Sequence, residues 1–151
     1  MEKILKTTGK ILGVDFGDVR TGLAVSDPSR LLASGIGYVS PGGIEKTADC
    51  IADYVRENKI SAVVVGKPIN MNGTIGPRAE RAEKLIRLLE ERVSVPVEPM
   101  DERLTTVEAT RYLNETNTRG NKRKKIIDTL AAQIILQNAL DRLKFLQNQS
   151  S

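Results

Sequence analysis

The sequence contains no histidine, and that absence excludes a wide range of chemistry. Ser-His-Asp and Cys-His pairs, an H-E-x-x-H zinc site and histidine-ligated haem are all removed. A single cysteine, Cys50, leaves no intrachain disulfide, no Cys-rich zinc site and no iron–sulfur cluster. Aromatic residues make up 3% of the chain (Phe16, Phe145 and three tyrosines), too few for an extensive stacking platform for single-stranded bases. No apolar run approaches the ~20 residues of a membrane span, and Met1-Glu2-Lys3-Ile4-Leu5-Lys6 has no apolar signal core. The expectation is a soluble, unexported, cytoplasmic protein with no membrane contact. Catalysis falls to carboxylates, Lys, Ser/Thr, Tyr or a metal held by oxygen.

What is present fits one domain over residues 1–151, with a core from about 10 to 146 and short polar tails. The net charge of +4 leans mildly toward an anionic partner and gains meaning only where it clusters.

Three early strands are predicted: Lys10–Phe16, Arg20–Ser26 and Ala33–Val39. Their connections are too short for a helical crossover, so the three pair antiparallel. Ile44, Ala48, Ile51, Ala52 and Val55 then recur at helical spacing, and Ile60–Val65 reads as a buried strand. A loop from Gly66 to Pro77 leads into a helix over Arg78–Arg92. Val95–Met100 is a short strand whose prolines suit a sheet edge. Thr105-Thr106-Val107-Glu108 is a capping box opening a helix to about Asn114, and a last helix spans Lys125–Leu146. The order βββ-α-β-α-β-α-α implies an α/β fold with a mixed five-stranded sheet, three antiparallel strands extended by parallel ones and flanked by helices.

In such sheets, sites collect at the carboxyl ends of neighbouring strands. Three acidic points fall at suitable places: Asp15, the Asp101-Glu102 pair and Asp128. Asp15 ends the first strand between apolar neighbours, where a carboxylate loses solvation and needs a partner or a metal; the alternative is a cap on the strand–turn junction. Of Asp101 and Glu102, only one faces a site, because successive strand residues point to opposite sides. Asp128 shares a helical stripe with Ala131, Ala132 and Ile135, small residues that let the helix lie close to the sheet. The plainer alternative is an acid favoured by the helix macrodipole. Taken together, carboxylates without histidine match the oxygen ligands preferred by Mg²⁺ or Mn²⁺. Two such ions about 4 Å apart activate water and stabilise the leaving oxygen in phosphodiester hydrolysis.

The chain resembles the YqgF family, also called RuvX, of bacterial RNase H-like Holliday junction resolvase relatives regarded as pre-16S rRNA nucleases. The resemblance covers about Ile11 to Leu140 and rests on six blocks in order. They begin with Gly13-Val14-Asp15-Phe16-Gly17, Arg20-Thr21-Gly22-Leu23-Ala24-Val25-Ser26-Asp27 and Val65-Gly66-Lys67-Pro68. Gly73-Thr74-Ile75-Gly76-Pro77-Arg78, Asp101-Glu102-Arg103-Leu104-Thr105-Thr106 and Ile127-Asp128-Thr129-Leu130-Ala131-Ala132 follow. The resemblance implies an RNase H-like fold, an acidic triad of Asp15, Glu102 and Asp128 as catalytic metal ligands, and a part in ribosome biogenesis. Lys67 stands where the family often has an apolar residue, and Phe16 where it often has tyrosine. Neither change touches a carboxylate.

Arg119, Lys122, Arg123, Lys124 and Lys125 place five cations within seven residues just before Asp128. Read as a loop that orders on substrate, this stretch neutralises phosphates and makes binding salt-sensitive. Arg20, Lys67 and Arg78 are further candidates for nucleic-acid contact; Arg20 and Arg78 could instead pair with Asp18, Asp27 or Glu102. The glycine-rich segment from Gly66 to Arg78 could offer backbone N–H groups to phosphate at a helix start, though it is no Walker motif. The reading reached is a Mg²⁺- or Mn²⁺-dependent endonuclease, monomer or homodimer, acting on precursor rRNA, with the ribosomal particle as a further partner. The alternatives are a resolvase-like nuclease of branched DNA and a non-catalytic nucleic-acid-binding domain. An actin-like ATPase ranks last, since 151 residues cannot supply two lobes and a cleft.

Overall fold

The structure is a computed structural model that describes residues 2–17, 19–67, 76–101 and 120–150, with the backbone alone for 120–128 and 150. Five strands form one sheet: β1 (Ile11–Phe16), β2 (Thr21–Ser26), β3 (Ala33–Val39), β4 (Ala62–Lys67) and β5 (Val97–Asp101). Among the described residues, four helices accompany them: α1 (Glu2–Leu5), α2 (Ile44–Glu57), α3 (Pro77–Arg92) and α4 (Gly120–Ser150). The strand order is β3-β2-β1-β4-β5, so β1 is central. The β1–β2 and β2–β3 pairs are antiparallel, while β1–β4 and β4–β5 are parallel. Pro96 and Pro99 do lie at or in an edge strand, where a missing N–H costs least.

Alternation along the strands sorts the core into two layers. Leu12, Val14, Leu23, Val63 and Val65 pack against α2 and α3 through Ile51, Val55, Leu85 and Leu89. On the other face, Ile11, Ala24, Ala33, Ala62 and Val64 meet α4 through Ala132, Ile135, Leu136, Ala139 and Leu140. Small residues bring α4 close. A Cβ at Gly13 would stand 2.7 Å from the Leu136 Cβ, and one at Gly35 would stand 2.4 Å from the Thr129 Cγ2.

Two sequence expectations are corrected. The N-terminus is not a polar tail: Ile4 is fully buried under α4. Arg30, in the left-handed region at φ 61°, ties it down by donating from Nε to the Gly9 carbonyl at 2.7 Å and from Nη2 to the Thr7 hydroxyl at 2.6 Å. Ile4 and Leu5 form only a two-residue apolar step in a short polar segment, too short to show a period, so sequence pattern gives no sign of the burial. The last helix also starts before Lys125, at Gly120, so Lys122, Arg123, Lys124 and Lys125 are helical rather than a loop. Lys and Arg are good helix formers, and their charge hides the helical pattern. The expected helix from Thr105 to Asn114 lies outside the described residues, as do Arg119 and residues 68–75 of the glycine-rich segment. Among the described residues, no helix is long and apolar enough to cross a membrane.

Candidate active site at the carboxyl edge of the sheet

Asp15 lies one residue from the end of the central strand and is half-buried. Ile11 belongs to the α4 layer and a Cβ on Gly13 would meet α4, so alternation puts Asp15 on that same face. The course of α4 follows from two level contacts. The Ala33 N–H donates to Gln137 Oε1 at 2.9 Å, whereas Gly35 lies against Thr129 and Gln133. Helix numbers therefore fall as β3 advances, and β3 runs parallel to β1 in the same sheet. Moving from Gly13 to Asp15 covers about 6.7 Å toward the carboxyl edge. Moving four residues along α4 from Ala132 to position 128 covers about 6 Å in that direction. The backbone at Asp128 thus comes to the same edge as Asp15. The Asp128 side chain and Glu102 lie outside the described residues. Asp101 ends β5 opposite Lys67 and is exposed. Among the described residues, no three metal-ligating side chains converge.

The hairpin beside Asp15 is held by Gly17, whose N–H donates to the Arg20 carbonyl at 3.0 Å. A Cβ at Gly17 would stand 2.4 Å from that oxygen, so only glycine fits the turn. Arg20 holds its guanidinium 5.7 Å from the centre of the Tyr38 ring. Across the sheet, Arg81 of α3 lies 5.0 Å from the Phe16 ring, which packs with the α2/α3 layer. Lys67 closes β4 with its ammonium on the Glu83 carboxylate. That hydrogen bond, more than the general attraction of the charge, holds Glu83 below the usual carboxylate range. Arg78 is exposed in the first turn of α3, behind the Gly76 cap and Pro77. Asp27, one of the partners considered for Arg20, instead caps the β2–β3 turn, accepting from the Leu31 and Leu32 N–H groups at 2.9 and 3.0 Å. Sequence reading passed over Tyr38 and Arg81; the face that Tyr38 joins is set by the β2–β3 register, which the sequence alone does not fix.

The family described as RuvX, Holliday junction resolvase, matches residues 9–142. The chain belongs to the RuvX family. A Ruminiclostridium cellulolyticum protein is 42% identical over 135 residues, covering 89% of this chain and 95% of that one. One from Ligilactobacillus salivarius is 46% identical over 136 residues, covering 88% and 92%. Both carry the name "Putative pre-16S rRNA nuclease". Family and relatives are thus nucleases by name. Among solved structures, Thermus thermophilus RuvC in complex with a Holliday junction superposes with a TM-score of 0.52 at 15% identity, covering 84% of this chain and 91% of that one. That likeness shows the fold: this RuvX chain has the RNase H-like architecture of RuvC.

Proposed function

We propose that this chain is a single-domain, divalent-metal-dependent endonuclease that processes the 5′ end of precursor 16S rRNA in the cytoplasm, working on or near the ribosomal particle. The observation that supports the reading is that Asp15 lies near the end of the central strand on the α4 face, and that α4 runs back toward that same carboxyl edge. Asp15, Glu102 and Asp128 would hold Mg²⁺ or Mn²⁺, hard ions suited to an all-carboxylate set in a chain without histidine. A bound ion would supply the positive charge that water attack and departure of the leaving oxygen require. Arg20, Lys67, Arg78, Arg119, Lys122, Arg123, Lys124 and Lys125 would bind phosphates and set the register of the strand. The family description keeps branched DNA as a second substrate reading.

The test compares cleavage of a precursor 16S rRNA fragment and of a four-way DNA junction, with Mg²⁺, Mn²⁺ or EDTA. Wild type is expected to cut the RNA only with metal, and Asp15→Asn to bind it without cutting. Cleavage of the RNA by Asp15→Asn at the wild-type rate contradicts the site. Cleavage of the junction alone moves the substrate to DNA.

A further inference from the structure

Tyr38 owes its place to an irregularity in β3. In the β2–β3 ladder, Ala24 faces Gly35 but Leu23 faces Gly37, so Ile36 is an extra residue. Gly37 sits at φ 122°, a conformation suited to glycine. Without that bulge, Gly37 would face Gly22, and Tyr38 would turn toward α2 and α3. With it, Tyr38 faces Gly22, which in turn faces Asp15 on β1. Asp15, Gly22 and Tyr38 form one rung on the α4 side, and the aromatic ring stands two strand spacings, roughly 10 Å, from the carboxylate strand. Bulges next to active sites commonly re-aim a side chain in this way. Thr21 faces Val39, and both Val39 and Phe16 pack on the opposite layer, as the shifted register requires.

On this rung Tyr38 is 37% exposed and carries Arg20 at 5.7 Å from its ring centre. A guanidinium beside an aromatic ring is ordered by the ring quadrupole and offers a flat, cationic face to a base. Such composite surfaces take unpaired nucleotides, whose bases are free to stack. We infer that Tyr38 and Arg20 form a subsite for one unpaired nucleotide flanking the phosphate held at Asp15, with Tyr38 as its positioning residue. This rests on the nuclease reading above and adds a local preference for a single-stranded segment. It also shows how a chain poor in aromatics can meet bases at one chosen point.

The experiment measures binding of a fluorescently labelled single-stranded RNA oligonucleotide in EDTA, so that no cleavage intervenes. Tyr38→Phe keeps the ring and is expected to bind within about twofold of wild type. Tyr38→Leu keeps bulk but loses the ring and is expected to bind on the order of tenfold more weakly. Thermal unfolding of each variant reports its folding. The chain has no tryptophan, so Tyr38→Trp adds a unique emission signal, expected to be quenched as the RNA binds. Wild-type affinity in Tyr38→Leu, equal losses in the Phe and Leu variants, or unchanged emission on a complex that forms would overturn the subsite. Wild-type cleavage by Asp15→Asn, with the Tyr38 pattern intact, would instead overturn the catalytic site alone. If the wild-type protein binds no RNA, both fall.

Discussion

The two faces of the sheet are built from different residues and serve different ends. Toward α2 and α3 the strands present Leu12, Val14, Leu23, Val63 and Val65, interlocked with Leu85 and Leu89. Toward α4 they present Gly13, Ala24, Ala33, Gly35 and Ala62 beside Ile11 and Val64, with Ala132 and Ala139 opposite among Ile135, Leu136 and Leu140. On the first face the strands bring the larger side chains, and each fully buried Leu or Val there is worth about 1.5–3 kcal/mol. The second gives up volume for proximity. Its small residues let one long helix approach the sheet closely enough for position 128 to reach the edge where Asp15 sits. On the α4 face, small residues bring the helix close to the edge where the proposed site lies.

The contrast can be broken from either side. The largest stability effect is expected from Leu85→Ala, at a residue fully buried in the α2/α3 layer. Loss of its side chain should cost about 2–5 kcal/mol in denaturant unfolding while the folded fraction keeps its turnover rate. A turnover loss beyond the folded fraction would show that the two faces are not separable. Gly13→Ala should cost less, about 1–3 kcal/mol, because the new methyl meets the Leu136 Cβ at 2.7 Å and the Ala132 carbonyl at 3.1 Å. It should, however, lower kcat more than Leu85→Ala does, since it pushes α4 off the sheet; unchanged kcat would contradict the proximity argument.

The smallest effect lies away from both layers. Hydrogen bonds from the Ser29 hydroxyl and then the Leu32 N–H lower the Asp27 carboxyl from 3.8 to about 2. A folded-state pKa below the unfolded one means stability present above about pH 4 and lost as pH falls through about 2. The unfolding midpoints of wild type and Asp27→Asn should therefore differ at neutral pH and converge by about pH 2. A difference that persists at low pH would assign it to something other than this carboxylate.

Much of this was legible in the residues. Ala33–Val39 is bounded by turn signals and appears as β3 with those same limits. The antiparallel-then-parallel order follows from connection length, and the edge position of β5 follows from its prolines. The place of Asp15 near the end of the central strand was legible, because a carboxylate after an apolar run marks the strand's end. Ile4 and the early start of α4 were not, one lacking a period and the other concealed by charge. The place of Tyr38 was also hidden, because a one-residue bulge reverses which face it joins, and nothing in Gly35-Ile36-Gly37 fixes where the extra residue falls. Sequence proposed Lys67 as a substrate contact, whereas the fold gives it Glu83 as a partner.

The central claim is that α4, drawn in by small residues, joins Asp128 to Asp15 in one metal site. The most direct measurement is single-turnover cleavage of precursor 16S rRNA with Mn²⁺ by Asp15→Asn, Asp128→Asn and the double variant, with RNA binding checked for each. Residues that act as a unit lose activity non-additively. The account predicts near-complete loss in either single variant, no further loss in the double variant and retained RNA binding throughout. Wild-type cleavage by Asp128→Asn would contradict it.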